Sequence, residues 1–372
     1  MKLSTDRILT THTGSLPRPA GLPTDPKERT PEEIRDAVAT VVQSQLDAGV
    51  DVVNDGEASK PSYATYVAQR LTGFGGAGEM PRPREYEDFP EWAQRLFGEP
   101  GIADIMQNPA CIGPVAYQDT SFVLQDIANL QSATRDREVT DIFLSAASPG
   151  VIAVFLQNQH YSSEDEYLAA LADAMKTEYD AIHGAGITLQ IDCPDLAMGW
   201  NVSQLGGTKE NFLKQIAVRI EALNHATRDI PPEDMRLHLC WGNYEGPHHL
   251  DIPLRDIIGL VLTARPAALS FEGANPRHEH EWKVFEDVKL PEGKVIIPGV
   301  IDSTTNYIEH PELVAQRIVR YARLVGMERV LAGSDCGFAT FASFLTVDPR
   351  ITWAKLGAMA EGARLATEEL RG

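Results

Sequence analysis

No cluster of basic residues occurs anywhere in this 372-residue chain, where 53 acidic side chains against 33 Lys and Arg leave a formal net charge of −20. A polyanionic partner would be repelled, which excludes nucleic acids and anionic membrane surfaces as partners. Nor is there a run of about 18 apolar residues, the least that a membrane-crossing helix requires. The opening stretch, MKLSTDRILTTHTG, lacks the apolar core of a secretory leader, so the expectation is a soluble, cytoplasmic protein. Cysteine is scarce: Cys111, Cys193, Cys240 and Cys336 are the whole complement. Four scattered thiols are too few for a disulfide framework, which fits a reducing compartment. Metal binding or plain burial must then explain them.

What is present is a recurring pattern, supported by a hydrophobic fraction of 43%. An amphipathic helix ends in Gly, a short β-branched run follows, and an acid closes it. Helix 31–48 leads through Gly49 to VDVVND and Asp55. Helix 164–183 leads through Gly184 and Gly186 to ITLQID and Asp192. Helix 311–325 leads through Gly326 to MERVLAGSD and Asp335. A Gly-capped helix feeding an almost wholly apolar strand is the signature of a buried parallel sheet. Further apolar runs lie near residue 10, near 152 (SPGVIAVFL), at 236–240, at 268–272 and near 298, with helical segments at 209–227 and 251–264. Eight strands alternating with helices predict a single (β/α)8 TIM barrel spanning residues 1–372. An open doubly wound sheet would want a G-x-G-x-x-G turn after its first strand, and HTGSLPRP is not one. A ninth run, CIGPVAY at 111–117, is surplus and reads as an outlying strand. The stretch from about 73 to 110, rich in Gly, Pro and charge, reads as an inserted loop, either a lid or a surface excursion.

RLHLCWGN carries the strongest chemical signal. His238 and Cys240 are two apart at a strand end, so their side chains share a direction. In a barrel the C-terminal strand ends face the active site. ALSFEG places Glu272 at another strand end and VLAGSDCG places Cys336 just past a third. An imidazole, two thiolates and a carboxylate form a zinc donor set, because sulfur and nitrogen ligands suit Zn²⁺. On spacing alone, packed cysteines acting as small hydrophobes explain the same residues.

These motifs, together with HTGSLPRP, NDGE at 54–57, QID at 190–192, GVID at 299–302 and SDCG at 334–337, follow the order found in the cobalamin-independent methionine synthases. Over nearly its whole length the chain resembles their catalytic barrel and its short single-barrel relatives. The resemblance implies Zn²⁺ held by His238, Cys240, Glu272 and Cys336. It also implies that Gly14 and Ser15 hold an amino acid's carboxylate, while Glu57 and Asp192 hold its ammonium. Convergent carboxylates suit a cation. The implied activity is methyl transfer from a methyltetrahydrofolate-type donor to homocysteine, giving methionine. Zinc deprotonates a bound thiol, and two thiolate ligands leave the substrate sulfur electron-rich, which favours alkyl transfer over hydrolysis.

Three departures concern the alkyl donor. The family's His after GV-x-D, thought to help protonate the leaving group, is replaced by Thr304. Asp192 is followed by Cys193-Pro194 instead of Glu-Pro. No Trp stands near the fourth strand to stack a folate, only Phe155 and Tyr161. Substitute acids are His278 and His280 in NPRHEHEW. Two rival activities remain on the same barrel. In epoxide opening by coenzyme M, Arg18 would have to face the sulfonate. Metal-free decarboxylation, as in the uroporphyrinogen decarboxylase relatives, has no use for the His-Cys-Cys set. A zinc-bearing binding protein without turnover is a further possibility, and both monomer and homo-oligomer are compatible with the chain.

Overall fold

Each Gly-capped helix does deliver a strand. The computed structural model describes residues 1–79, 82–97, 107–202, 207–342 and 344–372. Its strands are β1 (Val52–Val53), β2 (Phe74–Glu79), β3 (Gln107–Cys111), β4 (Asp141–Ala147), β5 (Thr188–Asp192), β6 (Met235–Leu239), β7 (Ala268–Phe271), β8 (Val295–Ile301) and β9 (Gly333–Ser334). Seven are parallel neighbours in the order β1-β4-β5-β6-β7-β8-β9. The segment around Thr10 closes the ring. Ala332 N–H donates to Leu9 O and Thr11 N–H to Ala332 O, both at 2.8 Å, while Val52 N–H donates to Thr10 O at 3.0 Å. That segment is the eighth stave, and the (β/α)8 expectation holds.

Helices Pro31–Asp47, Glu164–Gly184, Lys209–Ala226 and Pro311–Val325 form where the periodicity predicts them. The first starts at a capping box, with Thr30 accepting from Glu33 N–H and Glu33 accepting from Thr30 N–H. The segment read as a helix over 251–264 is helical only over Leu254–Val261. Helices Ser121–Thr134 and Pro349–Arg371 are additional, the latter packing on Pro311–Val325.

The strand expected near residue 152 is a helix, Pro149–Phe155, and the barrel strand before it is β4. Ser148 caps that helix by accepting from Val151 N–H, and Pro149 fits its first turn. All seven of its residues are buried. A helix buried all round has no polar face, so its apolar run reads equally well as a core strand. CIGPVAY is not itself a strand. β3 ends where it begins, at Cys111, and pairs antiparallel with β2 outside the barrel. Within the 73–110 insertion, β2 and helices Glu85–Asp88 and Pro90–Phe97 are described. Residues 80–81 and 98–106 of that stretch lie outside the described residues.

The N-terminal end of the barrel is plugged. Leu9, Val52, Phe143, Ala268, Val295, Ile297 and Leu331 cluster there. Above them the buried Arg236 guanidinium lies 4.0 Å over the Phe143 ring and donates to Thr11 Oγ1 and His12 O. The open end is therefore the C-terminal one, where β1, β5, β6, β7 and β9 deliver the polar residues singled out above.

Candidate active site

His238 is the penultimate residue of β6, Cys240 follows that strand's end, and Cys336 lies two residues past β9. Ligand atoms of these three side chains all lie within 4.8 Å of one another, and all three are buried. The two Sγ atoms are 3.6 Å apart. Two Zn–S bonds of about 2.3 Å at a tetrahedral angle would span ~3.8 Å. His238 Nδ1 lies 3.3 Å from Ser270 Oγ, whereas Nε2 is buried without a partner. Burial, and then the nearby Arg236, push the imidazole down to about 3, so the ring is neutral with a lone pair to give. The contact with Cys336, and then burial, push the Cys240 thiol well above its ordinary value. Adjacent buried sulfurs ionise together only around a cation. An imidazole with an orphaned nitrogen, within 4.8 Å of two paired sulfurs, fits a soft divalent metal.

Glu272 lies outside that compact trio. One carboxylate oxygen accepts from Trp241 N–H at 2.7 Å and the other from Asn275 Nδ2 at 2.8 Å. The strand ends are tied together by Asp335, whose carboxylate accepts from the backbone N–H groups of Gly273, Ala274 and Asn275, each at 2.8 Å. The loops carrying Glu272 and Cys336 are thus hydrogen-bonded to each other.

The trio shares one cavity of about 150 Å³ with Ser15, Glu57 and Asp192. Glu57 follows β1 with φ +56°, a left-handed conformation held by its N–H donating to Asp55 Oδ1 at 3.0 Å. Glu57 Oε1 accepts from Ser145 Oγ at 2.6 Å, and Oε2 is buried without a partner. Asp192, at the end of β5, accepts from Gln190 Nε2 at 2.7 Å. Burial, and next the charge of Glu57, push its carboxyl up to about 8. A buried acid pair with an unpartnered oxygen is poised for a cationic ligand.

Gly14 admits this arrangement. At φ +152° a Cβ there would stand 2.7 Å from Glu57 Oε1. Its N–H donates to His12 Nδ1 at 3.2 Å, which leaves Ser15 as the member of the pair that lines the cavity. Ser15 in turn abuts the Cys336 loop: Phe338 N–H donates to Ser15 O at 2.8 Å, and a Cβ at Gly337 would meet Ser15 Oγ at 2.0 Å.

Other sequence candidates stand elsewhere. His278 is buried between Asp251 and Glu281, at 3.1 and 2.8 Å, and packs 4.3 Å from the Trp241 ring. Burial lowers its pKa, but hydrogen bonds to the two acids outweigh that and raise it to about 10. It braces the metal loop and does not line the cavity. His280 is exposed on the turn Glu279–Lys283. Arg18 donates to the carbonyls of Ala339, Glu57 and Lys60 and does not line the cavity. Cys193 is buried against Ile191 O. Phe155 lines the cavity, while Tyr161 stacks on Tyr167. Sequence reasoning missed Ser145, Lys60, Ser270 and Tyr63. None belongs to a motif with chemical meaning of its own.

Fold and site define a (β/α)8 barrel in which a buried imidazole and two cysteines that could hold a metal ion lie beside an acid pair. Residues 125–364 match the family described as cobalamin-independent synthase, catalytic domain, and the chain belongs to that family. A methionine synthase of Thermococcus kodakarensis is 24% identical, covering 93% of this chain and 86% of that one. One from Sulfurisphaera tokodaii is 27% identical, covering 97% and 93%. Among solved structures, a B12-independent methionine synthase from Shewanella in complex with selenomethionine shares the fold. It has a TM-score of 0.75 and 21% identity, over 98% of this chain and 99% of that one.

Proposed function

We propose that the chain transfers a methyl group to the sulfur of homocysteine, giving methionine, at a zinc ion held by His238, Cys240 and Cys336, with Glu272 as a further oxygen ligand. The observation that carries this reading is the meeting of the sulfur–imidazole trio and the Glu57–Asp192 pair in one cavity. Zinc, when bound, would keep a thiol deprotonated at neutral pH.

The chain's own residues do the rest. Glu57 and Asp192 receive the substrate ammonium, whose charge draws the Asp192 carboxyl back down. Ser15 meets the carboxylate, which turns the side-chain thiol toward the sulfurs of Cys240 and Cys336. Ser145, itself accepting from Lys60 Nζ at 3.3 Å, fixes Glu57 by donating to it. The sulfonate of coenzyme M would meet two acids here, and Arg18 is engaged with backbone carbonyls, so the acid pair supports an amino-acid thiol.

Calorimetry of the zinc-loaded protein tests this. Homocysteine is expected to bind with proton release, and 2-mercaptoethanesulfonate at least tenfold more weakly. Equal binding of the two thiols would contradict the reading.

A further inference from the structure

Methyl transfer from a methylated amine such as a methylfolate needs an acid for the leaving nitrogen and, for its carboxylates, a counter-charge. Among the described lining residues there is no histidine besides His238, and Glu57 and Asp192 are taken up by the substrate ammonium. Thr304, standing where the family has His, donates its hydroxyl to Asp302 at 2.9 Å, and His278 and His280 do not line the cavity. The described titratable groups on the wall are the metal-binding trio, the Glu57–Asp192 pair and the phenols of Tyr63, Tyr86 and Tyr244. Burial first, then the nearby Glu85, holds the Tyr86 and Tyr244 phenols above the ordinary phenol range.

No Lys or Arg is among the described lining residues, and residues 80–81, 98–106, 203–206 and 343 contain none in sequence. Two nearby cations are engaged, while Arg82 and Arg95, beside the lining residues Pro83 and Leu96, are exposed. Lys60 Nζ donates to Ser145 O at 2.6 Å, and the Arg84 guanidinium lies 4.9 Å over the Trp200 ring. What the wall offers instead is aromatic. Tyr63 has its ring centroid 5.8 Å from Phe155 and 6.2 Å from Phe341, with interplanar angles of 82° and 72°. It lines the same cavity as Cys240 and Cys336. Crossed rings in an acidic cavity whose described lining holds no Lys or Arg attract a positive methyl-bearing centre.

We propose that the methyl donor is an onium compound, a sulfonium or quaternary ammonium, seated among Tyr63, Phe155 and Phe341. This rests on the methyl-transfer reading above. The deprotonated homocysteine sulfur forms a bond to the methyl carbon as the bond from that carbon to the positive sulfur or nitrogen breaks. The bonding pair stays on the leaving atom, which departs as a neutral thioether or tertiary amine. No proton, oxidant or reductant is consumed, so the step needs no general acid.

The test supplies the zinc-loaded protein with homocysteine and one of four donors: S-methylmethionine, trimethylsulfonium, glycine betaine or 5-methyltetrahydrofolate triglutamate. Donors labelled in the methyl group let mass spectrometry count transferred methyls. Labelled methionine from a sulfonium or from betaine, with the folate at least 100-fold poorer in kcat/KM, is the expected result. The arms also distinguish sulfur from nitrogen donors. Phe341→Leu should raise the KM for the active onium about tenfold, with the calorimetric Kd for homocysteine unchanged. Turnover with the folate alone overturns the proposal and leaves methyl transfer standing. So does bound homocysteine with no turnover from any onium. Failure of homocysteine to bind would bring down the underlying reading as well.

Discussion

His238 and Ser270 are register partners on the adjacent strands β6 and β7, and Ser270 Oγ stands 3.3 Å from His238 Nδ1. With Nδ1–H donating to that hydroxyl, the Nε2 lone pair is left facing the sulfurs, so the serine fixes both ring orientation and tautomer. Ser270→Ala should therefore weaken zinc binding about 10- to 100-fold, measured by competition with a chromogenic chelator. Undiminished affinity would mean that the ring is oriented by other contacts.

The compactness of the trio, with Glu272 beside it, predicts a graded response. His238→Ala, Cys240→Ser and Cys336→Ser should each purify with well under one zinc per chain. Glu272→Gln should keep the metal at reduced affinity, because its oxygens are already held by Trp241 N–H and Asn275. Atomic absorption on the four variants checks this.

Asp192 predicts a pH-dependent stability. Its carboxyl is raised from 3.8 to about 8, by burial and then by Glu57, so the folded state binds a proton that the unfolded chain releases. The contribution is fully present below about pH 4 and is lost as pH rises toward 8. Asp192→Asn removes that loss. The variant should melt at least about 2 °C above the wild type at pH 8, with the difference closing toward pH 4. It should also bind homocysteine more weakly. A melting difference independent of pH would contradict the assigned protonation.

The Gly14–Glu57 contact predicts a substrate-site defect without a metal defect. A Cβ at position 14 would stand 2.7 Å from Glu57 Oε1 and must displace the carboxylate. Gly14→Ala should lose about 100-fold in kcat/KM for homocysteine while retaining stoichiometric zinc. Steady-state kinetics on metal-assayed protein measures both.

The barrel was legible because its strands are buried on both faces and its helices on one, so the period changes at every Gly49- or Gly326-type junction. It failed at Pro149–Phe155, where complete burial erases the helical period. The convergence of His238, Cys240 and Cys336 was legible because the first two share a strand end and the third follows another. The supports of the acid pair were not. Ser145 reaches Glu57, and the Lys60 side chain reaches Ser145, only through tertiary folding, and Lys60 in sequence is one more cation on an acidic chain. His278 misled for a related reason: its polar neighbours suggest a solvent-exposed loop, yet Asp251 and Glu281 are the groups that bury it.

X-ray absorption at the zinc edge, before and after homocysteine is added, tests the account most directly. Two sulfur scatterers with one nitrogen ligand are predicted for the free protein, rising to three sulfurs on addition. A metal without sulfur neighbours, or a sulfur count unchanged by the thiol, would contradict it.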